Sequence, residues 1–267
     1  MALEWAENFQ TYGTGSTGLA NMEDGMWAEV ETTSYLDLVA DPDGVSSGNV
    51  IRHNTTSPSS TLGYVMRRVL PSGSQDTVGI AQRIWLSELP NNTNALPIIA
   101  GYNDSNNDEQ IEIVIDTTGT ISAWRGNGSA SLGTTSIPVV TANSWNHIEI
   151  KATINDSTGS VEVRVNGATV LNLTGIDTKA TAVAGCAQLV FGSINSNSHN
   201  WQLYRKDMVC WNDTGSQNND FLGDCRVLTL HPDGDSSFNW TASTGSTGWN
   251  LVDEDDPDDT DYIEARS

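Results

Sequence analysis

Positive charge is scarce in this chain. Lysine and arginine together number 12 against 34 aspartates and glutamates, giving a net charge of −22 over 267 residues. Nucleic acid and anionic membrane both recruit cationic surface, so neither is expected as a partner. Cysteine is nearly as rare. Cys186, Cys210 and Cys225 form an odd set without CxxC spacing, which predicts reduced core residues and neither a disulfide frame nor a zinc site. No window approaches the roughly 18 apolar residues of a membrane-spanning helix. Met1 is followed by ALEWAENFQ, with no basic or apolar leader region, so no secretory signal is expected. Triplets such as Asn54-Thr55-Thr56 then read as polar turns and not as glycosylation sites. His53, His147, His199 and His231 are scattered and cluster with no serine or cysteine nucleophile.

A sustained 3.6-residue period is also missing, which argues against a helical fold. What is present is alternation. From Ile148 to Ile154 the even positions are apolar, while His147, Glu149, Lys151 and Thr153 are polar. Val161, Val163 and Val165 repeat the pattern around Glu162 and Arg164. A period of two means strands with one buried face. The turn formers NDSTGS between them predict an antiparallel hairpin. Setting Ile150 opposite Val163 also places Lys151 across from Glu162 and Glu149 across from Arg164. These four charged residues are expected on the exposed face. Asn166-Gly167 predicts a second tight turn into a strand carrying Val170, Leu171 and Leu173.

Similar short strands fill the rest of the chain: Met26–Glu31, Asn49–His53, Tyr64–Leu70, Thr77–Leu89, Pro97–Tyr102, Ile111–Ile115, Ile121–Arg125, Ala187–Ile194 and Trp201–Trp211. DPDG at 41–44 reads as a turn. On Thr77–Leu89 neither face is uniformly polar, which predicts cover on both sides. Residues 1–25 read as an opening strand or arm that docks through Trp5 and Phe9. The fold expected is an all-β jelly-roll sandwich of two antiparallel sheets over 1–220. An acidic, aromatic-containing extension over 221–267 completes the chain.

The run Trp145-Asn-His147-Ile-Glu-Ile, followed by Gly159 and Val161-Glu-Val-Arg-Val-Asn166-Gly167, resembles the central hairpin of concanavalin A-like, laminin-G-like jelly-roll domains. A second likeness covers Asp207-Met-Val209, Asp220-Phe-Leu-Gly-Asp-Cys-Arg-Val227, His231-Pro-Asp-Gly-Asp235 and Trp249 through Tyr262. It is similar to the C-terminal signature of tailed-bacteriophage virion proteins. Lys206-Asp207 stands where that family has paired aspartates, a departure that argues against a metal at this position. The resemblance implies a non-enzymatic structural protein of the virion, made in the host cytoplasm and displayed on head or tail. Its partners would be other virion proteins and copies of itself, with no cofactor. Phe221, Leu222, Trp240, Trp249 and Tyr262 are the expected assembly contacts. The alternative is a glycan-binding adsorption module that recognises a host-surface glycan.

The remaining chemistry is sparse. A retaining glycosidase would need two carboxyls about 5–5.5 Å apart, and no Glu-x-Asp-x-x-Glu strand supplies them. Glycoside hydrolysis therefore stands third, and no catalytic residue is expected. Asp104, Asn106 and Asp108 have the alternate spacing of a calcium loop, yet Glu109 and Ile115 occupy the places of its glycine and bidentate glutamate. That loop reads as polar, not metal-binding. Trp124, Arg125 and Asn127 form the candidate sugar platform, an aromatic face beside planar hydrogen-bonding groups.

Overall fold

The computed structural model describes residues 3–12, 15–24, 27–30, 36–44, 49–53, 64–93, 96–126, 128–193, 201–228, 241–242 and 263–264. They form an all-β jelly-roll sandwich of two antiparallel sheets. The elements begin with β1 (Leu3–Glu7), α1 (Gly15–Asp24), β2 (Glu29–Val30), β3 (Leu36–Ala40), β4 (Asn49–His53) and β5 (Tyr64–Val69). The middle of the chain supplies β6 (Thr77–Leu86), β7 (Pro97–Asn103), β8 (Glu109–Ile115), β9 (Ile121–Arg125) and β10 (Ala130–Thr134). Then follow β11 (Trp145–Thr153), β12 (Gly159–Val165), β13 (Ala168–Ile176), β14 (Gln188–Ser193) and β15 (Leu203–Asn212). β16 (Thr241–Ala242) and β17 (Ile263–Glu264) pair with each other. The larger sheet runs β13-β12-β11-β6-β15-β4-β3, with β1 added to β15. The smaller runs β10-β9-β8-β7-β14-β5-β2.

The hairpin β11–β12 has the expected register, with Ile150 opposite Val163, Lys151 opposite Glu162 and Glu149 opposite Arg164. Ile148, Ile150, Val163 and Val165 are buried between the sheets. Burial of each such side chain is worth roughly 1.5–3 kcal/mol, so the apolar face sets the parity of the strands. Asn166 and Gly167 take φ of 49° and 82°, the left-handed pair that a two-residue turn needs. The charges arrange differently from expectation. Lys151 Nζ donates to Asp220 at 3.1 Å, and Arg164 Nε to Glu162 of its own strand at 2.9 Å. Glu149 is 1% exposed and not on the surface.

The cover over Glu149 is the chain after Asp220. The backbone N–H groups of Leu222 and Gly223 both donate to Glu149 Oε1 at 2.9 Å. Phe221, Leu222, Cys225 and Val227 pack on Ala81, Val209 and Trp211, on the outer face of the larger sheet. The Arg164 guanidinium lies 3.6 Å from the Phe221 ring centroid. Phe221 and Leu222, expected as contacts to other proteins, are thus engaged within their own chain. Trp240, Trp249 and Tyr262 lie outside the described residues. β6 is covered on both sides, as its mixed faces predict.

At the start of the chain, β1 pairs with β15. Trp5, Phe9, Trp27 and Phe191 form an aromatic cluster with centroids about 6 Å apart. Helix α1 was not anticipated. It is the one helix among the described residues, and it buries only Leu19 and Met22 among its large apolar side chains. Two anchors three positions apart are enough to dock a short helix but too few to display a period. All three cysteines are free; Cys186 and Cys210 are buried and Cys225 partly so.

Candidate glycan platform

Strand parity and register together compose a row of side chains on the outer face of the larger sheet. Trp145 of β11 stands opposite Trp85 of β6, and Trp85 opposite Tyr204 of β15. Tyr204 is opposite Arg52 of β4, and Arg52 opposite Asp37 of β3. In β6, β15, β4 and β3 the flanking residues Ile84, Leu86, Leu203, Ile51 and Leu38 enter the core, and in β11 the alternate positions Ile148 and Ile150 do so, which turns the row outward. All five members are partly exposed. With neighbouring strands roughly 4.8 Å apart, the row spans about 19 Å, the length of several pyranose rings.

Each member is held in place. The Trp85 and Trp145 rings meet edge to face, with centroids 5.9 Å apart. Trp145 Nε1 donates to Asp41 Oδ1 at 3.1 Å, and Lys206 Nζ sits 4.1 Å from the Trp145 ring centroid while pairing with Asp41 Oδ2. Tyr204 donates its hydroxyl to Gln202 Oε1 at 2.8 Å. Arg52 and Asp37 form a two-pronged ion pair, with Nε to Oδ1 at 2.8 Å and a second bond to Oδ2. The hydrogen bond from Asp37 holds the Arg52 guanidinium above its ordinary pKa despite partial burial. The result is a rigid aromatic strip ending in planar donors and acceptors, which suits the apolar faces and hydroxyl edges of sugars.

A second row lies one step deeper: His147 opposite Arg83, and Arg83 opposite Lys206. A bulge follows Lys206, where Asp207 adopts φ of 50°. The bulge turns the Asp207 carboxylate toward Arg83, 3.4 Å away, and its Oδ1 accepts the Val227 N–H. Arg83 also pairs with Asp224. Burial pushes the His147 pKa down, so the ring is neutral at pH 7. This row is closed over by residues 222–227, whereas none of the described residues closes over the aromatic row, whose members stay partly exposed.

The platform expected from sequence is divided by the structure. Trp124 lies on the outer face of the smaller sheet against Leu96, Ile98 and Val114. Arg125 belongs to the opposite face of β9 and pairs with Asp177. Asn127 lies outside the described residues. Trp124 has Glu112 directly across on β8. Glu112 is 1% exposed, and burial, with Glu109 nearby, raises its pKa to about 8. The loop at Asp104 is satisfied from within: its Oδ1 accepts the N–H groups of Asn106 and Asp108, and its Oδ2 the Thr181 hydroxyl.

No family model matches the sequence, and no curated protein does. Solved structures do match the fold. An alginate lyase superposes with a TM-score of 0.51 at 13% identity, over 77% of this chain and 95% of that one. An endo-β-1,4-glucuronan lyase from the fungus Trichoderma reesei gives 0.51 at 10%, over 78% and 95%. A sialidase gives 0.52 at 13%; it spans 81% of this chain but only 19% of its own length is matched. The concanavalin A-like sandwich expected from the β11–β12 resemblance is the fold observed.

Two expectations are corrected by these structures. A non-enzymatic structural role in a virion gives way, because the fold is shared with proteins named for action on polysaccharides. The exclusion of catalysis gives way with it. That exclusion rested on a missing carboxylate pair, which glycoside hydrolysis requires. Elimination, the reaction of a lyase, requires instead a base near the acidic C–H and a group that offsets the adjacent carboxylate.

Proposed function

We propose that this protein binds polysaccharide along the outer face of its larger sheet, with Trp85, Trp145 and Tyr204 as the stacking surface. Arg52 and Asp37 provide the hydroxyl contacts at one end. The observation that carries this reading is the five-strand register that lines these residues up, partly exposed and braced from below. Aromatic anchors fixed before binding lose little conformational entropy when a ligand arrives. The fold shared with two polysaccharide lyases supports a carbohydrate ligand.

The test is a glycan array probed with the full chain and with Trp85→Ala and Trp145→Ala. Binding to a defined glycan set that both substitutions abolish supports the reading. Binding unaffected by either removes the platform from consideration. The same incubations, assayed for new chain ends, read any cleavage that accompanies binding.

A further inference from the structure

The charge pattern around this platform narrows the ligand class, an inference that rests on the proposed binding of polysaccharide. Each lysine and arginine that the described strands of the larger sheet turn outward already faces a carboxylate. Arg52 pairs with Asp37, and Lys206 with Asp41. Arg83 pairs with Asp207 and Asp224, Lys151 with Asp220, and Arg164 with Glu162. The chain as a whole carries −22.

We infer that the aromatic row takes a neutral polysaccharide, a chain of hexopyranoses without carboxylate or sulfate. An anionic polymer approaching this face meets a strongly negative molecule whose local cations are already compensated. To reach Lys206 it would have to displace Asp41, which is 6% exposed and would be left buried without its cation. A sugar hydroxyl meets no such conflict, because it donates and accepts in the same contact. The Arg52–Asp37 pair sets guanidinium N–H groups and carboxylate lone pairs side by side, which matches two adjacent hydroxyls. Trp85 and Trp145 add apolar surface that is indifferent to charge.

Affinity electrophoresis of the full chain tests this, using a neutral β-glucan and mannan against alginate and polygalacturonate, each at low and high salt. Trp85→Ala serves as the control for the platform. The expected result is retardation by a neutral gel, little changed by salt and weakened about tenfold or more in Trp85→Ala. Trp85-dependent retardation by alginate that fades with salt would overturn the neutral assignment and leave the platform standing. Absence of any Trp85-dependent retardation would overturn both. Asp37→Asn supplies an independent arm, because it frees the Arg52 charge. Alginate retardation should rise severalfold at low salt in this variant. An unchanged response would refute the claim that carboxylate pairing sets the selectivity.

Discussion

Trp85 and Trp145, 60 residues apart in the chain, face each other across β6 and β11 with their rings at 65° and centroids 5.9 Å apart. Each supports the other against the sheet, and Asp41 and Lys206 also hold Trp145. Truncating either ring removes part of the ligand surface and loosens the remaining one. Trp85→Ala and Trp145→Ala should each cost about 2 kcal/mol of glycan affinity, about 30-fold in Kd. Both rings are partly exposed, so the loss of folding stability should be the smaller effect. Calorimetric titration beside thermal melts checks both halves.

Gly79 is a glycine because Trp211 occupies the space above it. A Cβ there would lie 2.1 Å from the indole ring. Both residues belong to the outer face of the larger sheet, where Trp211 stands directly opposite on β15. Gly79→Ala must push Trp211 out from beneath Phe221, whose ring centroid is 6.2 Å away. The substitution should cost about 3 kcal/mol, read from urea unfolding, and shift the tryptophan fluorescence to the red.

The hairpin β11–β12–β13 was legible because its pairing is local: alternation sets the parity, and the turns set the register. Parity was legible for β6 as well, since Ala81, Arg83 and Trp85 share a face in any strand. The platform was not. Its members lie at positions 37, 52, 85, 145 and 204, and no period states which strands become neighbours. Trp124-Arg125 looked like a platform because the two are adjacent in sequence, yet adjacency in a strand places them on opposite faces. Glu149 was misjudged for a related reason: its cover arrives from more than 70 residues downstream. β10 was missed because Ala130–Thr134 is an edge strand without apolar alternation.

Glu112 ties stability to pH. Its carboxyl is buried on the outer face of the smaller sheet, and burial raises its pKa from 4.5 to about 8. Well below pH 4.5 the folded and unfolded chains both hold the proton, and Glu112 adds no pH dependence. As pH rises toward 8 the unfolded chain ionises while the folded one does not, so stability falls with pH across that window. Glu112→Gln removes the titration. The variant should gain on the order of 2–4 kcal/mol over the natural chain at about pH 8 and little at about pH 4. Urea midpoints measured across that range check the sign; parallel curves for the two proteins would refute it.

The composition after Asp220 suits two readings, an arm reaching for another protein or a segment folded back on its own sandwich. Phe221, Leu222 and Val227 pack on Ala81, Val209 and Trp211, as the second requires. Each is partly buried, worth about 1 kcal/mol, and the Glu149 carboxylate anchors two of the backbone N–H groups. A protein ending at Asp220 would expose an apolar strip on the larger sheet. It should lose about 3 kcal/mol or more of stability, melt earlier and bind a hydrophobic dye. Phe221→Ala should reproduce part of the loss, because it removes both the Trp211 contact and the ring beneath Arg164. An independent arm predicts the reverse: a shortened chain with unchanged melting and no dye binding. That outcome would show that residues 221–227 add nothing to the sandwich they cover.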